Sequence, residues 1–315
     1  MDEFDVMVYL MTGFLDSGKS QFLKFTLEQE YFRIEGKTLL ILCEQGEEEY
    51  DPDMLKRHRT VLETVKKPED LNEEYFKLME AKYAPERVII ECNGMWKVSE
   101  IEVIPLPEGW GITQKITTVD ASTFQAYMTN LKPLFVEMVR GAELVLFNRC
   151  SDIKPLAGYR RSVKVVSPQA EVVFEDDKGE IENIFEGDVP YDLDAPVIKV
   201  ENEDYGIWYV DLMENPDRYK GKVVEITGQA KRPKGFPAKY FVPGRKAMTC
   251  CADDTTFIGY VARCPEGQEV KENQWVKVQA EIKFKHVSVY GGRGPVLEAK
   301  TVEVVDAIPE LVYFN

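Results

Sequence analysis

Short apolar runs alternate with amphipathic stretches through the first half of the chain. Residues 6–11, 37–43, 87–91, 115–120, 142–148 and 162–167 have the length and β-branched content of buried strands. Between them, Phe22, Leu23, Phe25 and Leu27 repeat at helical spacing, and residues 53–66 and 70–83 read as two helices separated by Pro68. The second carries a stripe of Leu71, Tyr75, Leu78, Met79 and Tyr83. Strands alternating with helices predict an α/β domain with a mostly parallel sheet and helices on both faces. The pattern changes between Glu175 and Asp204, a stretch rich in Asp, Glu, Gly and Pro with a hairpin signal at Asp176-Asp177-Lys178-Gly179. Beyond Ile207 the helical period fades apart from one short helix at 209–216. Short strand-like runs follow at 222–228, 257–261, 275–282 and 300–305. They predict a small all-β barrel of the oligonucleotide/oligosaccharide-binding (OB) type. The expected organisation is an NTPase-like domain over residues 1–190, a linker over 191–205 and a β domain over 206–315.

Composition narrows the class. The chain has 315 residues, enough for two domains, with 44% hydrophobic and 30% charged residues. No apolar run approaches the ~20 residues of a membrane span, and Met1-Asp2-Glu3-Phe4-Asp5 is acidic, unlike a signal peptide. The expectation is a cytoplasmic protein that does not span a membrane. Its cysteines (Cys43, Cys92, Cys150, Cys250, Cys251 and Cys264) are then thiols or metal ligands before they are disulfides. The net charge of −16 is uneven: residues 206–315 hold 16 Lys+Arg and 14 Asp+Glu, so residues 1–205 carry −18. An acidic front domain does not bind nucleic-acid backbones by bulk electrostatics.

The chemistry centres on Gly13-Phe14-Leu15-Asp16-Ser17-Gly18-Lys19-Ser20. This is G-x-x-x-x-G-K-[ST], the P-loop, set between a strand and a helix as the motif requires. Its glycines let backbone N–H groups wrap a phosphate, and the helix N-terminus adds partial positive charge there. Lys19 is placed for the β- and γ-phosphates, and the Ser20 hydroxyl for Mg²⁺. Further polar segments, Glu44–Asp51, Glu91–Gly94 and Asn148–Asp152, fall at the carboxyl ends of other strands. That is where open α/β sheets bind ligands.

These motifs resemble the CobW family of metal-linked P-loop GTPases, relatives of HypB and UreG, over roughly residues 5–190. The loop is similar to the family's G-F-L-G-S-G-K-T, Glu44-Gln45-Gly46-Glu47 with Asp51 to its N-E-F-G-E…D, Glu91-Cys92-Asn93-Gly94 to its E-x-x-G, and Val119-Asp120-Ala121 to its V-D-A. The resemblance implies a GTPase using GTP/GDP and Mg²⁺, with Ser20, Glu44, Asp51 and Glu91 around the cation and Lys19 and Glu91 as catalytic residues. The nucleotide set it implies is Gly13, Asp16, Ser17, Gly18, Lys19, Ser20 and Gln21, with Asn148, Asp152 and Ser167 from later strand ends. Three departures stand out. Asp16 replaces a family glycine. The guanine-reading N-K-x-D becomes Asn148-Arg149-Cys150-Ser151-Asp152, with its acid one residue late. The family's C-x-C-C metal motif has no counterpart between Asp51 and Glu91.

Residues 206–314 resemble the C-terminal domain of YcgQ-type proteins, partners of a bacterial permease, most closely at Met248-Thr249-Cys250-Cys251-Ala252-Asp253. On a loop, Cys250, Cys251 and Asp253 could ligate Zn²⁺ or another transition metal, with Asp254 or Cys264 completing the shell. Buried packing of two small residues is the other reading. His58, among Lys56, Arg57 and Arg59, reads as a solvated surface residue, and His286 as a surface or core residue. Cys43, Cys92 and Cys150 read as packing residues at strand ends. The basic–aromatic stretch 231–241 could contact nucleic acid, against which the domain's near-neutral charge argues. Two functions remain. One is a slow Mg²⁺-dependent GTPase switch tied to metal delivery, to a metalloprotein client or to regulation of a permease, with a homodimer among its candidate assemblies. The other is a non-catalytic nucleotide-binding or degenerate P-loop module that acts through protein interaction.

Overall fold

The computed structural model describes residues 4–44, 46, 49–154, 156–181, 184, 189–232, 235–237, 239–248 and 255–314. The chain divides into two compact units, residues 1–154 with 166–184, and residues 155–165 with 185–315.

The first unit runs β1 (Val6–Thr12), α1 (Lys19–Glu28), β2 (Thr38–Leu42), α2 (Pro52–Arg57), β3 (Thr60–Thr64), α3 (Glu73–Tyr83), β4 (Arg87–Glu91), α4 (Val98–Glu102), β5 (Trp110–Asp120), α5 (Phe124–Asn130), α6 (Lys132–Val139) and β6 (Leu144–Asn148), and, after α7 (Leu156–Val166), which is counted with the second unit up to residue 165, β7 (Glu171–Asp176) and β8 (Gly179–Glu180). Its eight described strands form one sheet in the order β3-β2-β4-β1-β5-β6-β7-β8. All neighbours are parallel except the β7–β8 hairpin, which turns at the Asp176–Gly179 signal. β2 and β4 are buried along their whole length, which is why they read as unbroken apolar runs.

Two sequence expectations need correction. Residues 53–66 are not one helix: α2 stops at Arg57, Arg59 takes a left-handed φ of +50°, and 60–64 become the edge strand β3. The β-branched Thr-Val-Leu-Glu-Thr run fits that edge. Residues 162–167 are not a strand but mostly the last turns of α7. There Leu156, Tyr159 and Val163 are buried at helical spacing, and Arg160 and Lys164, four apart, both pair with Glu214. Tertiary packing overrides the local β propensity of Val163, Val165 and Val166. In α3, Leu78 faces solvent and Phe76 takes its place in the core.

The second unit continues with β9 (Ile198–Lys199), α8 (Tyr205–Glu214), β10 (Val223–Lys231), β11 (Tyr240–Met248), β12 (Thr255–Ile258), β13 (Val261–Arg263), β14 (Trp275–Val287) and β15 (Gly292–Val304). Five strands close on themselves in the order β10-β11-β13-β15-β14 and back to β10, so the small all-β barrel is present. Closure leaves these five strands no free edge. In β10 every second residue points inward, burying Val224, Ile226 and Ala230. Tyr205 and Trp208 of α8 are buried in the same core. Beside them Asp211, 3% exposed, accepts hydrogen bonds from Arg218 Nη1 at 2.8 Å, Asn215 Nδ2 at 2.6 Å and the Tyr219 hydroxyl.

Gly94, just past β4, fixes how close that strand end comes to the loop after β1. A Cβ there would lie 2.8 Å from both Gly13 O and Phe14 Cα, backbone atoms that cannot swing aside. Gly94→Ala is therefore expected to destabilise the protein by roughly 1–3 kcal/mol, measured by urea unfolding of the first domain's transition. Asp211→Ala removes the acceptor that three donors share and is expected to cost about 3 kcal/mol. An unchanged midpoint in either variant contradicts the packing described.

Candidate functional site

The loop between β1 and α1 lies at the carboxyl edge of the sheet, flanked by the ends of β2, β4, β5 and β6. Gly18 has φ +94°, and a Cβ on it would lie 2.5 Å from Asn148 Nδ2, so only glycine fits there. Asp16 has φ +59°. Asp tolerates that left-handed conformation better than most side chains, which explains how this chain carries an acid where the resembled family has glycine.

Lys19 is 4% exposed, and three acceptors surround its ammonium: Gly13 O at 2.9 Å, Phe14 O at 2.8 Å and Glu44 Oε2 at 2.7 Å. The other oxygen of Glu44 accepts the Gly94 N–H at 3.2 Å. Ser20 Oγ donates to Glu91 Oε1 at 2.7 Å, and the Tyr50 hydroxyl donates to Glu91 Oε2. Burial pushes the Glu91 carboxyl above its usual range, while Tyr50, Ser20 and Lys19 pull the other way. Burial and the Glu91 charge push the Tyr50 phenol up as well, so it stays a donor at neutral pH. Ser20, Glu44 and Glu91 line one cleft of about 320 Å³ with Asp16, Gly18 and Gln21. A hydroxyl and two carboxylates are hard oxygen donors of the kind Mg²⁺ takes, so the residues present fit that ion.

A second cavity of about 450 Å³ shares Gly18, Gln21 and Arg149 with this cleft and adds Phe22, Phe25 and Asn148, with Glu175, Asp176 and Asp177 from the β7 end. Asn148 Nδ2 donates to Ser17 O at 2.8 Å, while its Oδ1 is buried with no hydrogen-bond partner. Ser17 Oγ lies 2.9 Å from Thr118 Oγ1. Arg149 Nη1 donates to Asp16 O at 2.9 Å and pairs with Asp120. Burial works to raise the Asp120 carboxyl, but Ser122 and Arg149 outweigh it and hold it below the usual range.

The structure thus brings Lys19, Ser20, Glu44 and Glu91 together, and sets Asn148 beside Gly18. Other sequence candidates lie elsewhere. Asp51 is exposed and caps α2, accepting Asp53 N–H at 3.0 Å. Asp152 is exposed and lines neither cavity. Ser167 is buried with Oγ donating to Ala142 O at 3.2 Å. Cys43, Cys92 and Cys150 are buried thiols whose pKa burial pushes up, so they pack and do not react. His286 is exposed, whereas His58 is half-buried in a cavity wall. Cys250, Cys251, Asp253 and Asp254, like Gln45 and Glu47, lie outside the described residues. Among the described residues, no group of three or more His, Cys, Asp or Glu is arranged to hold a metal ion, and no helix is long and apolar enough to cross a membrane. Phe241, from the basic–aromatic stretch, is in the barrel core. Sequence reasoning missed Tyr50 and Glu175. Tyr50 lies inside an acidic motif whose carboxylates carry the sequence signal, and Glu175 opens the Asp/Glu/Gly/Pro-rich stretch that reads as the end of the domain.

Residues 7–174 match the CobW/HypB/UreG nucleotide-binding domain family. Residues 180–314 match the DUF1980 C-terminal domain, over the stretch that resembles YcgQ-type proteins. Among curated proteins none matches the sequence. Solved structures similar to this one include the Zn(II)-bound YjiA GTPase from E. coli, at 16% identity over 88% of this chain and 86% of that one, with a TM-score of 0.42. HypB from Archaeoglobus fulgidus is similar at 15% identity over 55% of this chain and 83% of that one, with a TM-score of 0.38. The family match runs unbroken from β1 through the phosphate loop, Glu91 and Asn148 to β7 and spans more than half of the chain: the protein belongs to the CobW/HypB/UreG nucleotide-binding family.

Proposed function

We propose that the protein is a Mg²⁺-dependent GTP-binding switch that hydrolyses GTP slowly. The observation that carries this reading is the Lys19–Glu44 pair, 2.7 Å apart in the phosphate cleft with side chains 4% and 10% exposed. A buried pair is stable only while both charges have partners. A nucleotide phosphate competes with Glu44 for the Lys19 ammonium, and Glu44 also holds Gly94. Displacing it therefore moves segments 44–51 and 91–97 together, as a γ-phosphate sensor does. Ser20, Glu44 and Glu91 would hold Mg²⁺, with Asp51 reaching it only if α2's first turn rearranges. When bound, Mg²⁺ neutralises charge on the transferred phosphoryl group. Lys19 supplies the same from the protein side, and the loop N–H groups orient the phosphates. With no residue assigned to orient the attacking water, turnover is expected below about 10⁻² s⁻¹.

Base selection falls to the second cavity. Asp176 and Asp177 each commit an oxygen to a neighbour, the Lys178 N–H and Ser151 Oγ. The Glu175 carboxylate has no such partner among the described residues, and burial with the Glu180 charge raises its pKa. With Asn148 Oδ1 also unpartnered, the wall offers two uncommitted acceptors beside the side chains of Gln21 and Arg149. Guanine offers N1–H and N2–H₂ on one edge, whereas adenine sets an acceptor beside its amine, so the wall favours guanine. Glu175 takes the role the sequence suggests for Asp152.

The output fits either delivery of a transition metal such as Zn²⁺, with Cys250, Cys251 and Asp253 as ligands, or regulation of a permease through the barrel. The barrel's strand order fits the OB type, and a cytoplasmic setting belongs to the same reading. The second reading is a nucleotide-holding interaction module without turnover, favoured by how completely Lys19 is engaged.

Isothermal titration of the Mg²⁺-containing protein with GTP, GDP, ATP and ADP tests the proposal. Guanine nucleotides are expected to bind tightest, with Lys19→Ala lowering their affinity 100-fold or more; no binding by any of the four overturns it. Glu175→Gln is expected to weaken GTP about tenfold and leave ATP unchanged, with Asp152→Asn near wild type. Phosphate release assays on the wild type separate the switch from the silent module.

A further inference from the structure

The opposite edge of the first sheet, where the strands begin, holds a cavity of about 330 Å³ unlike the phosphate cleft. Arg33, Arg57, His58, Arg59 and Arg87 line it, Phe32 and Ile34 add an apolar wall, and among the described residues no acidic side chain lines it. Five cationic or protonatable groups around one void are out of keeping with a domain whose residues 1–205 carry −18.

Arg87 is the built part of the site. It is 4% exposed, and its guanidinium lies 3.8 Å over the Phe32 ring. Nη1 donates to Phe32 O at 2.6 Å, and Nε and Nη2 donate to Thr38 Oγ1 at 3.1 and 2.8 Å. All these acceptors are neutral, and no carboxylate pairs with Arg87 among the described residues. Burial pulls its pKa down to about 10, the mark of a buried cation without a counter-charge. Such a group is costly to keep unless an anion compensates it. The rim shows the same lack. Arg57 has Glu28 only at 3.9 Å, with both side chains more than half exposed, a contact worth little. Arg59 keeps a left-handed backbone, unfavourable for its type, while Nη1 is tied to Glu35 O. One or two cations near the end of α2 are ordinary complements to a helix dipole. That does not account for Arg87 or for Arg33.

We propose that this cavity is a second anion site, separate from the P-loop, that binds a small phosphate-bearing ligand. Arg87 forms its fixed floor, and Arg33, Arg57 and Arg59 form its rim. Planar guanidinium groups match phosphate oxygens two at a time, which suits arginine to this task better than lysine. The apolar wall of Phe32 and Ile34 leaves room for the organic part of such a ligand.

The test uses pyrophosphate as probe on full-length Lys19→Ala protein, in which the P-loop is disabled, at constant ionic strength. Calorimetry is expected to show saturable binding near one per chain. Adding Arg33→Ala and Arg57→Ala, two exposed positions, is expected to weaken it tenfold or more. The same pair in the Lys19 protein is expected to leave nucleotide affinity unchanged, which keeps this site distinct from the phosphate cleft. No saturable heat, an effect equalled by sodium chloride at matched ionic strength, or binding indifferent to the arginine changes overturns the proposal.

Discussion

One buried ion pair ties the first domain's functional edge together. Lys19 cannot reach solvent, so its charge must be met inside, and Glu44 meets it at 2.7 Å. Glu44 comes from the end of β2 and Lys19 from the start of α1. The second oxygen of Glu44 takes the N–H of Gly94 beyond β4. Three strand ends are thereby held in one register around the cleft. Because breaking a buried pair costs more than making it returns, any ligand entering must supply a replacement charge. A phosphate would do this; a neutral ligand would not.

The same electrostatic logic separates the carboxylates. Glu91 is buried and bonded by Ser20 and Tyr50, and burial lifts its carboxyl above the usual range. Asp120 is held ionised by Arg149 and Ser122. Glu175 has no side-chain partner among the described residues at the wall of the adjoining cavity. Three acids of one charge type thus sit in three different environments. The barrel solves its own polar problem differently. Asp211 draws Arg218, Asn215 and Tyr219 onto one carboxylate, so a buried charge is fully satisfied beside an apolar core.

Much of the fold was legible in the chain. The strands β2 and β4 are buried along their whole length and β1 and β6 over most of theirs, and their unbroken apolar runs can hardly be anything else. The turn at Asp176–Gly179 and the period change after Ile207 likewise marked the hairpin and the barrel. The misreadings share a cause. Residues 60–64 and 162–166 are short segments whose local preference does not decide their structure. The first becomes β3 because it can extend the edge at β2, and the second α7 because helical spacing buries Leu156, Tyr159 and Val163.

The amino-acid sequence by itself determined the P-loop, the class of each domain and the family, because these rest on contiguous residues and on periodicity that any fold must obey. Which residues meet in space was decided only by the tertiary structure. Glu44 and Lys19 are 25 positions apart, Ser20 and Glu91 71, and Asn148 and Ser17 131. Arg87 and the residues around it gather from three separate segments into one cavity. Strand order sets those meetings, and it depends on how every buried face is covered at once, a condition no single stretch of sequence contains.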